Sequence, residues 1–394
     1  MTELYWDPFD ETMALDPYPL WRRMRDERPV YRNDKLGFYA LSRYADVEAA
    51  YRDPRTYSSA YGTVLEIMTA EPMSSGMMLF MDPPAHTTLR TLVSRAFTPR
   101  RIAQLEEYVR TLCAELLDPQ VGGDGFDYVR DFAVQLPSRV ISELIGVDPA
   151  DREEVRGQID RAFHVEEGKG IINEVSFDAT LKLHAYFSEQ VEARRRAPRD
   201  DMMTALVEAE VSTGEGTRRL TTSEAADFAG LLVSGGTETV ARLLGWACVL
   251  LDGHPGQRAA LAADASLLRN AVEEILRHES PAPVQGRTLT RDVRLHGTTI
   301  PAGAKVVLLT GAANRDERVY ADPDRFDIRR RFDGHVAFGL GIHFCLGAAL
   351  ARLEGRVGLK ETLRRFPVWE VDHQRAARLH SSTVRGYDRL PITL

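Results

Sequence analysis

The stretch Phe338-Gly339-Leu340-Gly341-Ile342-His343-Phe344-Cys345-Leu346-Gly347 decides how the rest of the chain is read. Three glycines flank its one cysteine, and glycine serves where backbone must turn sharply or approach another group closely. The apolar triplet Val336-Ala337-Phe338 predicts a short strand before the loop. After it, Leu350, Leu353, Val357 and Leu363 recur at helical spacing over Ala348 to Phe366. Cys345 is therefore expected near a helix N-terminus, where the dipole and free N–H groups favour the thiolate that binds metal. A cysteine held this way is a candidate axial ligand to haem iron.

Just before the loop, Asn314 to Arg331 is polar and rich in aspartate, arginine and proline, the composition of a loop. Upstream lie a helix holding Glu274-Ile-Leu-Arg277, extended pieces at Arg287 to Leu295 and Thr299-Ile300, and a turn at Pro301-Ala302-Gly303. Lys305 to Leu309 reads as an apolar strand, and Ser381 to Leu394 as extended chain with a turn at Gly386.

Thr221 to Leu251 is the longest helical candidate, about 45 Å at 1.5 Å per residue. Gly235-Gly236 sits at its centre, where each glycine costs about 1 kcal/mol relative to alanine, and Thr237, Glu238 and Thr239 follow. A close helix–helix crossing would also ask for small residues, and the glycines alone leave both readings open. The adjoining acid and alcohol favour a site where function overrides local stability.

Toward the N-terminus, two short amphipathic helices between Pro19 and Ala50 bracket strands at Val30-Tyr31 and Phe38 to Leu41. Ser58 to Met81 has no period and holds Met68, Met73, Met77, Met78 and Met81. It reads as a long binding loop or lid, with simple filling of core gaps equally open. Asp82-Pro83-Pro84 opens a helix that puts His86 and Arg90 on one face, and Thr98-Pro99 starts the next. Helices are also expected around Val140 to Ile145, Asp148 to Phe163 and Phe177 to Arg195, with His164 to Ser176 irregular between the last two.

With 394 residues and a net charge of -8 the chain can bury a large core and lacks the basic surface of a nucleic-acid binder. Cys113 and Cys248 fall in apolar helical patterns, as small buried hydrophobes do, so a reducing, cytoplasmic setting is expected. The N-terminus has no basic region followed by an apolar run, and the most apolar helix carries Glu238 and Arg242 at its middle. Neither a signal peptide nor a membrane span is expected.

The loop Phe338-Gly339-x-Gly341-x-His343-x-Cys345-x-Gly347 resembles the haem-binding loop of the cytochrome P-450 superfamily. Three more patterns follow that family's order. Asp82-Pro-Pro-x-His86-x-x-x-Arg90 resembles its propionate-contacting helix, Gly235-Gly236-Thr237-Glu238-Thr239 its oxygen-activating helix, and Glu274-x-x-Arg277 its structural helix. Glu-x-x-Arg alone would mean little, since most are solvated pairs worth a few tenths of a kcal/mol. Four patterns in fixed order carry the likeness, which runs from about Asp16 to the C-terminus and is strongest to soluble bacterial members.

The resemblance implies a mainly α fold with small β-sheets (α+β), a helical bundle around a buried haem, formed by residues 1–394 as a single domain. It implies haem b with iron ligated by Cys345, and Phe338 and Gly339 against the cofactor. His86, Arg90, Arg287 and His343 would partner the propionates, Arg287 by its place after Pro283-Val-Gln-Gly286. Thr239 and Glu238 would be the catalytic pair, handling bound oxygen and protons. Val240 stands where the family usually has a second threonine, at a variable position. Glu274 and Arg277, with Arg325 from Asp322-Pro-Asp-Arg-Phe326, would lock the segment presenting the cysteine loop. Leu231, Gly235, Pro283, Val284 and Val384 are the candidate pocket residues.

The implied activity is insertion of one oxygen atom from O2 into a small apolar organic substrate by a haem-thiolate monooxygenase. Electrons would come from a separate ferredoxin or flavodoxin with its reductase. Arg95, Arg100, Arg101, Arg352 and Arg356 are the candidate docking patch for that carrier, and a monomer is expected. A peroxide-driven peroxygenase and a non-catalytic haem or ligand-binding protein remain as alternatives. The Glu238-Thr239 pair speaks against both.

Overall fold

The structure, a computed structural model, describes residues 4–73, 76–94, 97–166, 170–213, 216–379 and 381–394. The long helix runs unbroken from Thr222 to Asp252. Its start is fixed by a capping box: the Thr221 hydroxyl accepts from Glu224 N at 3.2 Å, and the Glu224 carboxylate accepts from Thr221 N at 2.8 Å. Phe228, Val233, Leu243, Leu244 and Leu251 are buried along it. It therefore threads the main core, packed by the helices Gln135–Ile145, Glu174–Arg196 and Ala348–Arg365.

A five-stranded sheet stands to one side. Its order is Val30–Asn33, Phe38–Leu41, Lys305–Leu308, Gln285–Leu289 and Tyr57–Ser58. Lys305–Leu308 runs parallel to Phe38–Leu41, and the other pairings are antiparallel. This joins the N-terminal hairpin to the segment that leads into the cysteine loop. Small two- and three-stranded sheets complete a mainly helical α+β fold. Among the described residues, no helix is long and apolar enough to cross a membrane.

Three local expectations change. Val336 to Phe338 is a turn, because Val336 N donates to Asn314 Oδ1 at 2.8 Å and its carbonyl accepts from Gly339 N at 2.9 Å, leaving no groups for a ladder. The helix expected after Thr98 forms two consecutive pieces, Pro99–Gln104 and Glu106–Leu117. The helix Met202–Glu208 and the hairpin Glu210–Thr213 with Gly216–Arg219 were not foreseen, each being too short to show a period.

Candidate active site

Two glycines shape the cysteine loop. Gly339 and Gly341 have φ of 64° and 67°, the left-handed region that glycine alone enters freely, and a Cβ on Gly341 would collide with the Tyr51 carbonyl. Cys345 N donates to Phe338 O at 2.9 Å, closing the loop, and the helix Ala348–Arg365 begins directly after it. Burial pushes the Cys345 thiol up from its usual pKa, opposed by the Gly347 N–H, Arg90 and Arg352. Burial thus opposes the thiolate expected from the sequence. A metal bound at Cys345 would hold the sulfur as the thiolate.

Behind the loop, Arg277 forks onto Glu274 at 2.7 and 2.8 Å with both side chains fully buried. Arg277 also donates to Asn314 O and Pro323 O at 2.9 and 2.8 Å. The third member is Arg330, whose Nε donates to Glu274 Oε1 at 3.1 Å. Arg325 does not fill that place. Its side chain is 70% exposed and faces Asp327, and only its backbone carbonyl reaches toward Arg277, because the turn at Asp322 to Arg325 points the side chain outward. A second clamp was not foreseen: Glu273 takes Arg352 Nε at 2.6 Å and His335 Nε2 at 3.1 Å, and Arg352 lies over the Phe338 ring.

In front of the loop four basic side chains gather. The rings of His86 and His343 lie 4.3 Å apart between centroids. Neither nitrogen of His86 and not His343 Nε2 has a hydrogen-bond partner among the described residues, although all three atoms are buried. Burial pushes His86 down to about 4 and His343 to about 3, with the cations of Arg90 and Arg287 adding to the effect. Arg287 is buried on Gln285–Leu289, where its guanidinium donates to Gly286 O at 2.6 Å. Arg90 donates to Phe344 O at 2.6 Å. Asp82, the nearest acid, is held by Ser58 Oγ and by Ser59 N. A buried basic cluster with orphaned nitrogens calls for anions.

Across from the loop, the glycine pair serves both readings. A Cβ on Gly235 would meet nothing within 4 Å, whereas one on Gly236 would lie 2.9 Å from Ile141 Cγ1 of the crossing helix. One glycine leaves space and the other permits contact. Thr239 Oγ1 donates to Gly235 O at 3.1 Å, placing the hydroxyl beside that space. The buried Glu238 turns away to Arg242 Nη2 at 2.6 Å, and Arg242 also donates to Tyr387 O.

A cytochrome P450 family model matches residues 171–384. A putative cytochrome P450 123 of Mycobacterium tuberculosis is 43% identical over 395 residues, covering 100% of this chain and 97% of that protein. This chain belongs to the cytochrome P450 family. The erythromycin C-12 hydroxylase of Saccharopolyspora erythraea is 37% identical over 97% of this chain and 95% of its own. The solved structure of cytochrome P450 CYP109Q5 from Chondromyces apiculatus superposes with a TM-score of 0.88 at 37% identity, covering 98% of this chain and 97% of that one. The protein is therefore a P450 monooxygenase, an oxidoreductase whose family carries haem b on a cysteine thiolate. The chain's own atoms fit that group: a lone cysteine in a glycine loop faces orphaned basic nitrogens suited to two propionates.

The pocket residues are less well placed. Pro283 and Val284 are buried, Val284 in a cluster with Trp21 and Leu309. Leu231 and Val384 are partly buried. Met68 of the long loop also joins that cluster and is core, while Met78 packs with the main one. A cavity of about 1230 Å³ opens instead between Glu238, Arg242, Asp160, Glu66, Arg378 and Ser382, none foreseen as lining except Glu238.

Proposed function

We propose that the chain, acting as one domain of residues 1–394, inserts one oxygen atom from O2 into an organic substrate with a largely apolar body. The observation that carries this reading is the pairing of Cys345 with the orphaned basic cluster of His86, His343, Arg287 and Arg90. Cys345 would ligate the iron and the basic cluster would hold the propionates by charge-assisted hydrogen bonds, with Phe338 and Gly339 shaping the loop against the ring. When bound, haem supplies the oxygen-activating redox chemistry.

The protein's own share is positioning and proton handling. Gly235 leaves room for a diatomic ligand, and the Thr239 hydroxyl, released from Gly235 O, would donate a hydrogen bond into that room. Glu238 would pass protons from the cavity it lines, alternating between Arg242 and the Thr239 side. Glu274, Arg277 and Arg330 would keep the cysteine loop at its station.

Electrons would arrive from a separate ferredoxin or flavodoxin on the cysteine side. Arg352 and Arg356 are engaged there with Glu273 and Glu106, and Arg95 lies outside the described residues. The exposed Arg100 and Arg101 on Pro99–Gln104 are left as the docking cations. The test is incubation of haem-loaded protein with NADPH, ferredoxin and its reductase under labelled dioxygen. One labelled oxygen atom in the product supports the reading. Product formed equally from peroxide without dioxygen opposes it.

A further inference from the structure

Four arginines line the 1230 Å³ cavity, and three are spoken for. Arg156 bonds Asp160 at 2.6 Å, Arg242 bonds Glu238 at 2.6 Å, and Arg130 meets Asp388 at 3.3 Å. The fourth, Arg378 on the short strand Ala377–Arg378, makes no hydrogen bond or ion pair among the described residues. Its guanidinium carbon lies 4.4 Å from the Trp246 ring and 4.1 Å from the Tyr387 ring. Two aromatic rings thus hold the cation in place without neutralising it. Its N–H donors, planar and fixed in a fork, are the kind that bind a carboxylate through both oxygens.

The surroundings show whether an acid already neutralises Arg378. Burial pulls the Arg378 pKa below the usual arginine value and nearby Arg385 pulls the same way. Glu279, the acid that opposes them, is already bonded to Arg315 and Arg385 at 2.8 and 2.7 Å. Asp160, Glu238 and Asp388 each have an arginine, Glu66 accepts from Ser382 Oγ at 2.7 Å, and Glu11 and Glu166 also line the cavity. A cationic substrate placed against Arg378 would meet like charge. An anionic one meets a preset cation at no such cost.

We infer that the substrate carries a carboxylate at one end of its apolar body and that Arg378, stacked on Trp246 and Tyr387, binds it. This rests on the oxygenase reading, since the same cavity reaches Glu238 beside Thr239. Arg378 fixes which end of the substrate stays at the mouth, and so which carbons can approach the reacting centre.

The experiment uses haem-loaded protein and calorimetric titration with octanoate, dodecanoate and hexadecanoate, each compared with the primary alcohol of the same length. The tightest carboxylate is expected to bind at least tenfold better than its alcohol, an advantage that shrinks with added salt. Arg378→Gln should abolish the advantage and leave alcohol affinity within twofold, while Arg378→Lys should keep part of it; equal haem content and circular dichroism check folding. If no carboxylate outbinds its alcohol, or the advantage survives Arg378→Gln, the inference is overturned. Product from alcohols and acids alike would spare the oxygenase reading and sink this one. Arg378-dependent binding without dioxygen-dependent product would do the reverse.

Discussion

The Arg330 guanidinium lies 3.1 Å from the Glu274 carboxylate, completing a buried cluster with Arg277 under the cysteine loop. Asp327 N donates to the same oxygen at 3.0 Å, so the acid holds the turn Asp327 to Arg330 at two points. Removing Arg330 leaves a buried carboxylate short of one charged donor, a loss of about 1–3 kcal/mol. Arg330→Ala should lower the denaturation midpoint and release haem faster to an acceptor such as apomyoglobin. Arg325→Ala, at an exposed position, should stay within about 0.5 kcal/mol of the parent.

The two central glycines should respond in opposite ways. Gly236→Ala drives a methyl group against Ile141 and should destabilise the fold by about 1–3 kcal/mol by overpacking. Gly235→Ala meets open space and should gain up to about 1 kcal/mol from helix propensity. It should nevertheless weaken binding of carbon monoxide or imidazole to haem-loaded protein. Unfolding curves and ligand titrations on both variants check this.

Thr239→Ala should retain haem and fold, because the hydroxyl bonds only the Gly235 carbonyl of its own helix. Electron consumption should continue while product per electron falls and peroxide rises. Measuring NADPH, product and peroxide together tests it; unchanged coupling removes Thr239 from the mechanism.

His278 gives the fold a pH dependence. Its Nδ1 faces Arg315 Nη2 at 2.9 Å and must accept, while Nε2 donates to Asp324 O at 3.1 Å, which fixes the neutral ring. Burial, then Arg315, pushes its pKa down to about 3. Between about 6.5 and about 3 the unfolded chain binds a proton that the folded chain refuses, so this group's contribution falls as pH drops through that window. His278→Gln keeps an acceptor and a donor and should flatten that part of the pH–stability curve, measured by denaturant unfolding.

The sequence made the chemistry more legible than the walls around it. Cys345, His86, Arg90, Arg287 and His343 come from segments far apart along the chain, and the structure gathers the four basic side chains in front of the cysteine loop. Each answers a demand that few residue types satisfy. Arg325 was misassigned because Arg325, Arg329, Arg330 and Arg331 crowd one polar turn, and only the backbone path decides which points inward. Val284 is ambiguous for a similar reason: an apolar residue fits a pocket wall and a core equally, and it lies in a buried cluster with Trp21. Arg378 carries no signal of its own, since its neighbours Trp246 and Tyr387 come from distant segments.

The central claim is that Cys345 ligates a haem iron. The measurement is the absorption spectrum of the reduced, carbon monoxide-bound, haem-loaded protein, alongside Cys345→His. The parent is expected to show the red-shifted Soret band of a thiolate-ligated haem, and the variant the band of an imidazole-ligated one with haem retained. A freshly purified, haem-loaded parent without the red-shifted band, or a Cys345→His spectrum identical to it, would contradict the assignment.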